Sequence, residues 1–138
     1  MDLKSPNILL DDSFNAKISD FGLAKLKTDA NPMTGGCGTA RWAAPEVLAG
    51  KQFTETADVY SFAVIFWELL SRRCPYGDLD TGRVVYKVVK DRFRLRIPGW
   101  CPMGINFIIA CCWRHRAEYR PPMKIVLQYL EQIVKPPP

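Results

Sequence analysis

Within the first 22 residues stand four side chains suited to handling a charged phosphate: Asp2, Lys4 and Asn7 in the spacing D-x-K-x-x-N, and Asp20 opening the triplet Asp20-Phe21-Gly22. Carboxylate and amide oxygens are ligands for a hard cation such as Mg²⁺, which keeps several waters and otherwise binds through phosphates. An ammonium beside them neutralises anionic oxygen. Asp2 and Asp20 are 18 positions apart, so this chemistry needs a fold that brings them together. Taken alone, Asp20-Phe21-Gly22 also reads as an ordinary turn.

The elements that would position these groups can be read from the pattern. Ile8-Leu9-Leu10, turn chemistry from Asp11 to Asn15 and a second short run from Ala16 to Ser19 predict a hairpin. The two polar clusters then lie at the entry and exit of one small ribbon. Ala57 to Leu70 has 11 apolar or aromatic residues in 14, with only Asp58 and Glu68 charged. Such a run predicts a helix buried on every side, about 16 residues and roughly 24 Å long. Thr54 and Glu55 offer a cap and a first-turn acid; Arg72, Arg73, Pro75 and Gly77 end the pattern. Asp58 has two readings: a first-turn acid complementing the helix dipole, or a buried acceptor gripping the backbone of another segment. Three further helices follow, over 81–91 with Val84, Val85, Val88 and Val89 on one stripe, over 102–113, and over 122–134. In the last, Met123, Val126, Leu127, Leu130 and Ile133 read as core.

Composition narrows the class. A chain of 138 residues suits one domain with a real core. The net charge of +5 is scattered rather than patched, which argues against a nucleic-acid surface. Five cysteines without a C-x-x-C pair, and one histidine, give no zinc set; the thiols read as small inert residues of a reduced compartment. The first residues lack an apolar leader, and the central apolar run is too short to span a bilayer.

Six signatures occur in order: D-L-K-S-P-N from Asp2, D-F-G from Asp20, G-T-A-R-W-A-A-P-E from Gly38, D-V-Y-S-F from Asp58, C-W at Cys112-Trp113 and R-P at Arg120-Pro121. The set resembles the C-terminal lobe of a protein kinase and covers nearly the whole chain. The resemblance implies a mainly α fold with a small β-hairpin at the catalytic loop and a buried central helix. It implies a partial kinase domain over residues 1–134 and a proline-rich tail over 135–138. Mg²⁺ and ATP are the implied cofactors. By the resemblance Asp2 orients the substrate hydroxyl and accepts its proton, Lys4 meets the transferring γ-phosphate, Asn7 and Asp20 hold Mg²⁺, and Leu9 floors the adenine. Phe21 is the apolar switch residue and Gly22 the flexible position after the metal aspartate. Glu46 and Arg120 match a buried ion pair tying the end of the activation segment to the helical base. Asp58 takes the second of its readings and holds the catalytic-loop backbone.

Lys4 resembles the serine/threonine type rather than the arginine or alanine pattern of tyrosine kinases. In that type a threonine at position 39 hydrogen-bonds the catalytic Asp and Lys. Trp42-x-Ala44-Pro45-Glu46 and Tyr60-Ser61-Phe62 resemble the tyrosine-kinase-like group. Residues 20–46 match the activation segment, where phosphate on Thr28, Thr34 or Thr39 would order the loop through basic partners. Thr34 is the first choice for a regulatory site, Thr28 reads as an exposed loop residue and Thr39 as structural.

The sequence departs from the family at its front. It contains no glycine-rich loop, no strand lysine with a helix glutamate and no H-R before Asp2, and the expectation is a chain without the N-terminal lobe. The expectation is a chain inactive alone, with Ile8, Leu9 and Phe21 exposed and association-prone. Arg116 and Ala117 replace the acid and proline usual between the last two signatures. The partners implied are protein substrates and the missing N-terminal lobe or parent-kinase partners, with no nucleic acid and no membrane segment in this chain. The expected location is intracellular and cytoplasmic, the parent being free to carry a membrane anchor. A non-catalytic interaction module is the alternative; intact Asp2, Lys4, Asn7 and Asp20 favour the enzyme fragment.

Overall fold

Asp11 turns the chain back on itself: one carboxylate oxygen accepts from the Ser13 and Asn15 amides, both at 2.9 Å, and the other from Asn15 Nδ2 at 3.1 Å. An Asp side chain satisfying its own turn is the usual route to a short tight connection. It joins β1 (Ile8–Leu10) to β2 (Ala16–Ile18), antiparallel, with Ile8 opposite Ile18 and Leu10 opposite Ala16. The computed structural model describes residues 2–19 and 39–135. Asp20, Phe21, Gly22, Thr28 and Thr34 lie outside the described residues.

Five α-helices follow among the described residues: α1 (Pro45–Leu48), α2 (Thr56–Ser71), α3 (Thr81–Val89), α4 (Met103–Cys112) and α5 (Met123–Val134). Helix α2 has the 16 residues that the apolar pattern implies and runs through the core. Its buried positions include Val59, Tyr60, Val64 and Trp67. The Thr54 hydroxyl lies 3.4 Å from the Thr56 amide, Glu55 makes no side-chain cap, and Arg72 closes the helix at a left-handed φ of 56°. The helix is not buried all round, however. Phe62 and Phe66 are half-buried and Leu69 is 69% exposed. Spaced four and three apart, these residues form one stripe, of which Phe62 and Phe66 pack partly against the core and Leu69 stays open.

Helix α4 packs on α2, and α5 on α4. The α4–α5 approach is close at Gly104, where an added Cβ would meet Ile133 Cδ1 at 3.1 Å. Here too the buried faces are narrower than expected. Phe107 of α4 is exposed, and of the α5 stripe only Val126 is fully buried, with Leu127 56% exposed. The apolar face of α5 is the one that periodicity marks, but part of it, at Leu127, stays exposed. Helix α3 is capped by Asp80, whose carboxylate accepts from the Arg83 amide at 2.8 Å, and it buries Val84 and Val88. Cys101, Cys111 and Cys112 are buried free thiols. No helix among the described residues is long and apolar enough to cross a membrane.

Candidate active site

Ser5–Asn7 form a single 3₁₀ turn with Pro6 inside it, closed by the Asn7 amide donating to Lys4 O at 3.0 Å. This turn gathers the polar side chains on both sides of it. Asn7 is buried, and its Nδ2 donates to Asp2 O at 2.8 Å and stands 3.5 Å from Asp2 Oδ2. Lys4 Nζ is 3.5 Å from the same carboxylate oxygen and donates to Thr39 Oγ1 at 2.8 Å. One ammonium thus stands between the Asp2 carboxylate and the Thr39 hydroxyl; Thr39 meets Asp2 through Lys4, not directly. At the far end of the ribbon, the Ser19 amide and hydroxyl both donate to Asn7 O, at 2.7 and 3.1 Å. Leu9 is 56% exposed, whereas Ile8, expected on the same open surface, is half-buried against the core.

The cluster is anchored from below by a residue that motif reading missed. Glu68, in the last turns of α2, accepts from Ser5 Oγ at 3.0 Å through one oxygen and from Trp42 Nε1 at 2.7 Å through the other. Burial pushes its carboxyl above the ordinary range, and the bonds from Trp42 and Ser5 oppose the shift. Trp42 is almost wholly buried, and its carbonyl accepts from Ser61 Oγ of α2 at 2.7 Å. The central helix therefore holds both the Ser5–Asn7 turn and the segment carrying Thr39. The available signal was that Glu68 is one of only two charges in the apolar run.

The other charge, Asp58, is half-buried in the first turn of α2, and burial raises its carboxyl. With Asp2, Leu3, Val59 and Met123 it lines a largely apolar cavity of about 400 Å³.

Arg120 and Glu46 form a two-pronged pair at 2.7 and 2.8 Å. The remaining Arg120 donors go to carbonyls: Thr56 at 3.0 Å, Arg114 at 2.8 Å and His115 at 3.2 Å. All five guanidinium N–H groups are thereby used. The plane also lies over the Tyr60 ring, 5.2 Å from its centroid. Burial works to raise the Glu46 carboxyl, but the hydrogen bonds and charge of Arg120 outweigh it and hold it low.

His115 lies beside this pair with Nδ1 buried and without a partner. Burial, then Arg94, Arg92 and Arg120, depress its pKa below the usual 6.5. Below that value the unfolded chain takes up a proton that the folded chain resists, so His115 weakens the fold as pH falls through 6.5. Glu68 and Asp58, with raised values, act in the opposite sense. The urea midpoint of His115→Gln should therefore fall less between pH 7.5 and 5.5 than that of the parent; equal falls would show that His115 titrates normally.

The model of the protein tyrosine and serine/threonine kinase family matches residues 1–130. The chain belongs to that family. It is 42% identical over 133 residues to a probable serine/threonine-protein kinase, drkD, of Dictyostelium discoideum, covering 96% of this chain and 10% of that one. A mitogen-activated protein kinase kinase kinase 12 of Rattus norvegicus is 36% identical over 130 residues, covering 94% and 15% respectively. A putative serine/threonine-protein kinase/receptor of Acanthamoeba polyphaga mimivirus is 37% identical, covering 98% and 8%. The chain thus spans about a tenth of the length of these relatives.

Proposed function

We propose that this chain supplies the phosphate-transfer half of a serine/threonine protein kinase active site, acting on protein substrates inside the cell, where ATP and Mg²⁺ are available. The observation that carries the reading is the position of the Lys4 ammonium between Asp2 and Thr39, with Asn7 buried beside them. Because Asn7 Nδ2 is taken by Asp2, its Oδ1 is the atom left for a hard cation. The donor set fits Mg²⁺, with Asp20 as the proposed second ligand and Leu9 as the floor for the nucleotide base. Bound Mg²⁺ would neutralise charge on the ATP phosphates.

The chain's own residues do the rest by position and charge. Asp2 orients the substrate hydroxyl and takes its proton as the oxygen bonds to the γ-phosphorus and the bond to the β-phosphate oxygen breaks. Lys4 holds the charge on the transferring group. Asp58 secures the backbone of the Asp2 segment, and the Glu46–Arg120 pair fixes the end of the segment that carries Thr39. Thr34 is the proposed regulatory phosphate acceptor, with Phe21 and Gly22 as the switch beside Asp20.

The test joins this sequence behind the N-terminal lobe of a serine/threonine kinase and follows labelled γ-phosphate from Mg-ATP into a basic protein. Label should reach serine or threonine, and Asp2→Asn should slow transfer by about 10²- to 10⁴-fold. Undiminished transfer by the Asp2→Asn fusion would overturn the assignment.

A further inference from the structure

Between α2 and α3 the chain adopts two consecutive left-handed residues, Tyr76 at φ 63° and Gly77 at φ 56°. Glycine takes that region freely, but a tyrosine there is strained and persists only where its surroundings hold it. The turn brings the carbonyls of Pro75, Gly77 and Leu79 to one place. Three convergent carbonyl dipoles repel one another unless a cation sits among them.

The cation is Arg41. Its Nη1 donates to Pro75 O and to Gly77 O, the latter at 2.9 Å, and its Nη2 donates to Leu79 O at 2.6 Å. The planar fork of a guanidinium can serve several acceptors at once, which a lysine cannot match. No carboxylate among the described residues pairs with it, and its partners there are backbone carbonyls.

Arg41 closes the same short 3₁₀ turn that Thr39 opens, and the Trp42 amide donates to Thr39 O at 3.2 Å. Three anchors therefore leave four consecutive residues in three directions: Thr39 to Lys4, Arg41 to the α2–α3 loop, and Trp42 to Glu68. The last two sit on the protein body and determine where the first can stand.

We propose that Arg41 is a positioning residue for Lys4: by clamping the α2–α3 loop carbonyls it fixes the turn that presents the Thr39 hydroxyl, and so fixes the place of the Lys4 ammonium. Its bearing on catalysis rests on the reading of Lys4 given under Proposed function. The α2–α3 loop then becomes part of the active-site frame although none of its side chains reaches the cluster, and movement in that loop is transmitted to the amine.

The experiment uses the 138-residue chain with ¹³C at lysine Cε, read by NMR in the parent, Thr39→Ala, Arg41→Ala and Arg41→Lys. Arg41→Ala should displace the Lys4 resonance in the same direction as Thr39→Ala. The Gly77, Leu79 and Trp42 amides should exchange with solvent about tenfold faster, with the Arg120 Nε signal, a reporter of the folded base, unmoved. Arg41→Lys should give an intermediate displacement, and it decides the matter alone if Arg41→Ala does not fold. A parental Lys4 resonance in the folded Arg41 variant, with Thr39→Ala displaced, would overturn the proposal. A parental resonance in Thr39→Ala as well would instead strike at the Lys4–Thr39 cluster and the functional reading built on it.

Discussion

Arg120→Leu should destabilise the fold by about 3 to 5 kcal/mol, because it strands a desolvated carboxylate and removes every donor from a buried junction. Glu46 would lose both of its charge-assisted bonds, and the carbonyls of Thr56, Arg114 and His115 would each lose a partner. A small domain has only about 5 to 15 kcal/mol of stability in total, so the variant should populate unfolded chain at modest urea. Glu46→Gln should be milder, since a neutral amide still accepts one bond and leaves no stranded negative charge. The double variant Glu46→Leu with Arg120→Leu should recover only part of the loss, because the three carbonyls remain unpaired. Equilibrium urea unfolding with the slope held constant checks the series. A shift under about 1 kcal/mol for Arg120→Leu, the size expected of an exposed pair, would contradict the buried junction. The pair's contribution is present above the ordinary glutamate range and is lost as pH falls through the depressed Glu46 value.

Trp42→Ala should cost a similar amount, about 3 to 5 kcal/mol, since a nearly fully buried indole leaves a cavity that the surroundings fill only in part. The more telling variant is Trp42→Phe. It keeps the larger part of the apolar volume and removes the N–H that meets Glu68 at 2.7 Å together with a few ring carbons, for an expected cost of about 1.5 to 3 kcal/mol. If the indole nitrogen matters as argued, Trp42→Phe should cost much less once Glu68 is also changed to Gln, because the half-buried carboxylate is no longer waiting for that donor. Independent, additive losses measured by urea unfolding would mean that Glu68 does not tie Trp42 to the central helix.

The parts of the site legible in the sequence were those whose roles need particular residue types at short spacing. Asp2, Lys4 and Asn7 sit close together in the sequence around one short turn, and Asp11 to Asn15 spells out the bend behind them. The 16-residue central helix was legible because its apolar run is bounded by breakers. Glu68 was not, because its partners are 63 residues earlier, at Ser5, and 26 earlier, at Trp42, and a charge in a pattern does not say what it touches. Arg41 escaped notice for a related reason: its acceptors are backbone carbonyls, which carry no side-chain signature. The exposed stripes on α2 and α5 show a further limit. Spacing at Phe62, Phe66 and Leu69, or at Leu127 and Ile133, marks an apolar face; whether another element lies over it is a matter of tertiary packing, invisible to periodicity.

The central claim is that Asp2 and Lys4 act on one transition state from one preorganised cluster. Groups that work as a unit lose activity non-additively, so a double-mutant cycle in the fused catalytic domain is the most direct measurement. Asp2→Asn and Lys4→Met should each slow γ-phosphate transfer severely, and the double variant should be about as slow as the worse single one. Losses that multiply, or a single variant that transfers at the parental rate, would contradict the account.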